Sequence, residues 1–252
     1  MILSVIPISE KGVKPSMPNS NDQKKETNMQ ATYKALKHMI INNQLPTGVP
    51  IPQTRLMEEY GFSRTPLREA INKLAQDGLV HWEQNKRISI IKLTEQDIDE
   101  ISSMRIVLEC FAVLTSVPLL TEEDLSEAAR YLDEADACLA SGDDFASFEI
   151  SHRKFHSVLR KYAGAWLTHD IELCNEQSAR YRAEYRLYTR NYNREEHDAL
   201  LDAARRHDAL QTAQLLATHY AKTTLIVIAE KTPKFNSEKT RLALKLIDSL
   251  EL

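Results

Sequence analysis

From residue 29 to residue 92 the apolar positions change period twice, and each change marks an element. Tyr33, Leu36, Met39, Ile40 and Ile41 recur at helical spacing until Leu45-Pro46-Thr47-Gly48 stops the run. Thr54 then precedes Arg55-Leu-Met-Glu-Glu-Tyr60, which predicts a short helix ending at Gly61. Ser63 stands where an N-cap belongs, and Thr65-Pro66 opens a helix with Leu67, Ile71 and Leu74 on its inward face, stopped by Gly78. After Gly78 the period shortens. Leu79-Val-His-Trp82 and Ile88-Ser-Ile-Ile91, separated by the polar run Glu83 to Arg87, predict a two-stranded hairpin with Arg87 at its tip. Beyond Leu93 the period is helical to the end, interrupted near 118–121, 141–144, 163–165 and 206–208. By contrast the first 28 residues hold Pro7, Pro15, Pro18 and the polar run Asn19 to Glu26 without a sustained apolar period, which predicts a disordered arm.

These patterns predict a mainly α chain: a winged helix-turn-helix over 29–93, an all-α helical bundle over 94–232, and a tail or further helix over 233–252. Composition agrees, since 252 residues with 42% hydrophobic content suffice for two cores, and 6 glycines with 9 prolines favour helix over a large sheet. Three cysteines, Cys110, Cys138 and Cys174, form no CxxC pair, so neither a disulfide framework nor a zinc ribbon is expected. The opening apolar run, Met1 to Pro7, is too short for a secretory signal or a membrane span. A cytoplasmic protein with no membrane partner is the expectation.

The net charge of −4 argues against a polyanion partner until its distribution is considered. Residues 29–92 carry nine Lys/Arg against five acids, whereas residues 93–252 carry 19 against 28. One end attracts a polyanion and the other repels it. In a helix-turn-helix the second helix enters the major groove with its first turns toward the bases. Ser63, Arg64, Thr65 and Arg68 cluster in that first turn here. Arginine can grip guanine in a bidentate manner, and a helix N-terminus can receive a backbone phosphate. A capped helix with a solvated basic face would carry the same residues.

The run Leu45-Pro-Thr-Gly, then Leu56, then Gly61-Phe-Ser-Arg-Thr-Pro-Leu-Arg-Glu-Ala-Ile71, Leu74 and Asp77-Gly-Leu-Val80 resembles the winged helix of the GntR family of bacterial regulators over about 60 residues. The resemblance implies a homodimer on a palindromic double-stranded operator, with Arg64 and Arg68 as main contacts and Thr65 beside them. Two positions depart from the family pattern. Thr54 stands where the family often has arginine, with Arg55 one place later, and Arg87 stands where glycine usually forms the wing tip. Arg87 could still reach the minor groove or a phosphate.

In the second half His152 and His156 lie four apart on one helix face with Phe148, Phe155 and Leu159, and His219 shares a stripe with Ala213, Leu216 and Thr223. His197 follows Glu195-Glu196 at a helix start. A single histidine on an apolar face is usually a satisfied core residue. Four of them pointing inward from three helices need partners or a metal. The segments Leu93 to Glu109, Phe155-His156, Glu196-His197 and Asp208 to His219 look like the FCD ligand-binding domain of FadR-type GntR regulators. In metal-containing members three histidines and an aspartate hold a divalent ion against which small carboxylates bind. The resemblance maps the histidines onto His156, His197 and His219, and puts His152 where the aspartate belongs. Either His152 is a fourth imidazole ligand or the metal site is altered; an all-histidine set lacks the hard oxygen donor, so Zn²⁺ or Ni²⁺ is expected over Mn²⁺ or Mg²⁺.

Arg105 is carried over from the same resemblance as a partner for the effector's carboxylate, a small organic acid. The bland alternative is a surface pair with Glu109 one turn on. Arg180, Arg182 and Arg186, among Tyr181, Tyr185 and Tyr188, read as a solvated face that could also cap the cavity. His38, His81, His169 and His207 read as surface or structural residues. A second function class is a histidine-ligated metalloenzyme, suggested by Glu149-Ile-Ser-His152. Di-iron bundles need two such Glu-x-x-His pairs and only one is present, so no enzyme is expected.

Overall fold

A computed structural model describes residues 28–141, 145–185 and 192–251, with the side chains of 145–146 and 182–185 excluded. The arm expected over 1–28 lies outside the described residues except for Asn28, as do Arg186 and Tyr188. The chain divides into two compact units at Lys92 and Leu93.

In the first unit three helices, α1 (Asn28–Ile41), α2 (Gln53–Tyr60) and α3 (Arg64–Gln76), enclose one core with a small antiparallel sheet. Leu67, Ile71 and Leu74 of α3 are buried with Leu36 and Ile40 of α1 and Leu56 of α2, as their spacing predicts. Gly61 ends α2 with φ at 73°, a left-handed position that glycine occupies without strain.

The sheet has three strands, β1 (Ile51–Pro52), β2 (Val80–Glu83) and β3 (Arg87–Ile90), in the order β1-β3-β2. The hairpin was legible in the sequence, but β1 was not. Only two residues long, it carries a proline, which lacks the ladder donor and belongs on an edge strand. Burial of Ile51 opposite Ile88 and the bond from Gly48 N–H to the Ile90 carbonyl (2.8 Å) hold that edge. The wing tip also differs from the sequence reading. Residues 84–86 form the turn, with Asn85 and Lys86 at φ of 58° and 55°, and Arg87 is the first residue of β3 opposite Glu83. Residues other than glycine take this left-handed backbone at some cost in energy, asparagine least of all.

The second unit is helical throughout the described residues: α4 (Glu95–Ser116), a short 3₁₀ turn (Val117–Leu119), α5 (Glu122–Ser141), α6 (Phe145–Leu159), α7 (Ala165–Tyr185), α8 (Arg194–Arg205), α9 (Ala209–Lys231) and α10 (Glu238–Asp248). A capping box starts α4: Thr94 Oγ1 accepts from the Asp97 N–H, and Asp97 accepts from the Thr94 N–H. Ile106, Cys110 and Val113 then carry α4 through the core beside Phe155, Leu200 and Leu216. The stretch Glu95–Leu119 is long and apolar enough to cross a membrane by length and composition. Its inward residues are buried against neighbouring helices, while Met104, Val107 and Phe111 stay exposed.

Residues 233–252, read as a tail or a helix, contain α10, whose Ala243 and Ile247 join the main core. The buried Asp99 of α4 holds it. One carboxylate oxygen accepts from Lys239 N–H (3.1 Å) and the other from Thr240 N–H (3.0 Å), which serves two of the open donors at a helix start. Cys110, Cys138 and Cys174 are all free thiols.

Asp124 does similar work at the start of α5. It accepts from Thr121 N–H (2.9 Å), Tyr162 OH (2.9 Å) and the Lys161 ammonium. The Lys161 ammonium, with the Thr121 backbone after it, holds this carboxyl well below the usual carboxylate range. A folded pKa below the unfolded one adds stability that is present above about pH 4 and is lost as pH falls below it. Asp124→Asn is therefore expected to cost about 1–3 kcal/mol near neutral pH, the worth of hydrogen bonds to a charged group. The difference from the parent protein should shrink on acidification through pH 4. Thermal unfolding of both proteins between pH 7 and pH 3 checks this, and a pH-independent difference would contradict it.

Candidate functional site

Two groups of side chains stand out, one in each unit. In the first unit the sequence places its candidate DNA residues around the N-terminus of α3. Ser63, Arg64, Thr65 and Arg68 are all exposed, on the side opposite Leu67, Ile71 and Leu74. Ser63 occupies the N-cap position with extended backbone, but its hydroxyl makes no capping bond, contrary to the capping role expected of it. No acid lies in the first turn of α3. The helix therefore begins with a positive dipole end flanked by two arginines. Arg55 lies on α2 and is paired with Glu59 one turn on (2.6 Å), which offsets its charge. Arg87 is exposed on β3.

In the second unit the four predicted histidines come together. His152 and His156 project from α6, His197 from α8 and His219 from α9, and one ring nitrogen from each lies within 4.8 Å of the others. His152 Nε2 is 2.7 Å from His197 Nε2 and 3.2 Å from His156 Nε2. Outer partners fix two of the rings. His197 Nδ1 is 2.8 Å from the Asn193 carbonyl, and His219 Nδ1 is 3.1 Å from Glu196 Oε2. Both partners only accept, so both Nδ1 atoms carry the proton and both Nε2 atoms present a lone pair.

His156, His197 and His219 are buried, His152 half-buried. Burial, and then the neighbouring His219, lowers His197 to a pKa of about 4. Burial first and the other three histidines next hold His156 well below its usual value. Glu196 is lowered to about 2, chiefly by its bond to His219. Near neutral pH His156 and His197 are thus uncharged, the form in which imidazole binds metals.

The cluster fits a divalent ion on two observations. His152 Nε2 cannot make a full hydrogen bond along both of its short contacts, because it carries at most one proton. His156 Nδ1 is buried and has no hydrogen-bond partner among the described residues. Nitrogens sharing a tetrahedral ion at about 2.0–2.1 Å stand roughly 3.3 Å apart, so these rings need small shifts to accept one.

The histidines line a cavity of about 60 Å³ that also receives Arg105, Arg153, Arg160, Asn175 and Thr223. Arg105 makes the pair with Glu109 that the sequence offered, though away from the surface position expected of it. Its Nε lies 2.9 Å from Glu109, which is buried, Arg105 itself is half-buried, and its guanidinium lies 3.7 Å from the Tyr220 ring centroid. Sequence reasoning missed Arg160, Tyr192 and the Glu196 partner of His219. Arg160 was within reach, one turn past His156 on the same face. The Glu196 contact spans 23 residues and left no local signal. The run around Arg180 was read as a solvated face, and that is corrected: Arg180 and Tyr181 are buried, because this side of α7 faces the core. The side chains of Arg182 and Tyr185 lie outside those described. His207, read as structural, takes a positive φ of 53° with Nδ1 3.1 Å from the Val117 carbonyl.

Comparison with known proteins follows the same division. Residues 28–90 match the bacterial regulatory proteins of the gntR family, and residues 100–222 match the FCD domain. YdhC, an HTH-type transcriptional regulator of Bacillus subtilis (strain 168), is 35% identical over 127 residues, which is 50% of this chain and 57% of YdhC. The match to YdhC thus spans little more than half of that relative. An HTH-type regulator from the ttuE-ttuC' intergenic region of Agrobacterium vitis is 30% identical over 131 residues, 51% of this chain and 77% of that protein. Among solved structures, E. coli McbR/YncC superposes with a TM-score of 0.68 at 22% identity, covering 81% of this chain and 99% of that one, a likeness of fold. With a GntR helix-turn-helix in its first unit and an FCD domain in its second, the chain belongs to the GntR family of bacterial regulatory proteins.

Proposed function

We propose that the chain is an operator-binding transcriptional regulator whose affinity for DNA is set by a small carboxylate effector bound in the histidine-lined cavity. The observation that carries this reading is the cavity itself. Four imidazoles and the half-buried Arg105 line one cavity, in a chain that also bears an acid-free, basic helix N-terminus.

Arg64 and Arg68 are assigned to base contacts, with Ser63 and Thr65 on the adjoining phosphates and Arg55 and Arg87 at the margins. His152, His156, His197 and His219 are assigned to one divalent ion, with Zn²⁺ or Ni²⁺ suited to an all-nitrogen set. Such an ion would supply undiminished positive charge in a dry cavity, since none of its ligands is anionic. Four imidazoles fill a tetrahedral ion, so direct contact with a carboxylate requires expansion to five or six positions. Arg105 orients the carboxylate. Effector and operator influence each other by preferring different states of the protein, which is the meaning of their coupling. No arrangement among the described residues suggests turnover of a bound molecule, and the metalloenzyme reading finds no support in the family.

One short recognition helix reads too few base pairs alone, so a homodimer on a palindrome is part of the proposal. A groove on the second unit suits the partner copy. Met104 and Val107 of α4 and Leu242 and Leu246 of α10 line it, and Phe111 extends it by one turn. Phe111 and Leu242 are 58% and 67% exposed, unusual for side chains of that size unless another surface covers them.

Three outcomes are expected. Arg64→Ala and Arg68→Ala should each weaken operator binding by about 1–3 kcal/mol in fluorescence anisotropy, and unchanged affinity in both would remove the α3 assignment. Elemental analysis should find about one transition metal per chain, lost in His156→Ala and His219→Ala together with release of the operator by small carboxylates. Operator binding without effector should survive in both, and metal-free protein that still responds fully to its effector would defeat the metal assignment. Phe111→Glu combined with Leu242→Glu should turn a dimer into a monomer in sedimentation velocity; an unchanged dimer would place the interface elsewhere.

A further inference from the structure

Glu109, at 1% exposure, is among the least accessible acids of the described second unit, and it faces two arginines. Its Oε1 accepts from Arg105 Nε at 2.9 Å. Its Oε2 accepts from Tyr220 OH at 2.9 Å and lies 3.4 Å from Arg160 Nε. That last approach is too poorly aligned to count as a hydrogen bond, and Arg160 Nε is a buried donor without a partner among the described residues. Arg160 turns its other end to Glu172 (2.5 Å). Both arginines line the cavity that holds the histidine cluster. One buried and one half-buried guanidinium group thus divide one carboxylate, and the buried one is incompletely satisfied.

We propose that Glu109 is a built-in counter-ion that occupies, from within α4, the position of charge an effector carboxylate would fill, and that the effector binds by drawing Arg105 and Arg160 away from it. This rests on the reading of the cavity as a carboxylate site. It goes further in naming what the ligand competes with. A buried charge cannot be left alone without a large penalty, so an arginine pocket awaiting an anion needs a resident one. Arg105 and Glu109 sit one turn apart on α4, so a carboxylate on the same helix serves that need for Arg105, while Arg160 is shared between Glu109 and Glu172. Effector affinity then becomes a difference between two carboxylate interactions. Any anion that wins Arg105 releases Glu109 and changes the contacts of α4 with Tyr220 on α9.

The test uses the full chain and malonate as the probe, at fixed ionic strength. In Glu109→Gln the side chain still accepts from Tyr220 but no longer holds the arginines by charge. Malonate should bind this variant about 10- to 100-fold more tightly than the parent protein in calorimetry, the worth of one charge-assisted hydrogen bond. Its thermal midpoint, lowered in the absence of anion, should rise with malonate more steeply than that of the parent, while chloride has no such effect. Should the single variant not fold, Glu109→Gln with Arg160→Gln leaves Arg105 as the one cation of the trio, and the same gain in malonate affinity is expected. Equal or weaker malonate binding in the folded variant overturns the proposal even if the parent's operator still responds to carboxylates. Tighter malonate binding supports it even if no carboxylate moves the parent's operator affinity, an outcome that would remove the sensing role alone.

Discussion

Four ring nitrogens, one from each histidine, meet within 4.8 Å of one another, each short contact between them can hold a single proton, and the second unit is organised around that constraint. Burial keeps His156 and His197 neutral, and the Asn193 carbonyl and Glu196 hold a proton on Nδ1 of His197 and His219. The helices that carry them, α6, α8 and α9, must hold their spacing for the arrangement to persist. A hydrophobic core of Phe155, Leu200 and Leu216 directly beneath fixes that spacing. Non-directional packing would tolerate small sliding of these helices. The outer hydrogen bonds would not.

Buried carboxylates recur as the devices that join distant elements. Asp99 fastens α10 to α4, Asp124 fastens the start of α5 to Lys161 and Tyr162, and Glu109 joins α4 to α9 through Tyr220. Each accepts from several donors, which is what allows a charge to remain in a region of low polarity. Apolar residues of similar volume could serve stability as well. Charged groups impose instead one particular alignment, and in the case of Glu109 they place that alignment against the cavity.

The parts of this fold legible in the sequence are those with local signatures. The α3 stripe of Leu67, Ile71 and Leu74, the glycine stops, and the change of period at Gly78 each depend on neighbours within a few residues. The histidine convergence was half legible: the i, i+4 pair on α6 declares a common face, but nothing local tells His197 and His219 that they meet it. The resemblance to the FCD domain supplied that link. What stayed hidden was non-local or against propensity. β1 is two residues long and contains proline, Arg180 is a charged residue that the core covers, and the Arg160 and Glu109 contact depends on how α4 lies beside the end of α6.

The bonds that close the second unit also bear on how it reaches its native state. Cys110 Sγ lies 3.2 Å from the Ala213 carbonyl, 103 residues away; Tyr220 reaches Glu109 across 111 residues, and Thr240 reaches Asp99 across 141. Helical proteins usually fold quickly because most of their contacts are local, and loop closure over long separations is what slows larger topologies. Here the partners of α4 on α9 and α10 lie more than 100 residues further along the chain. The helical unit therefore combines the composition of a fast folder with the chain topology of a slow one. Its exposed apolar α4 surface, Met104, Val107 and Phe111, stays open to chance association for the whole of that search.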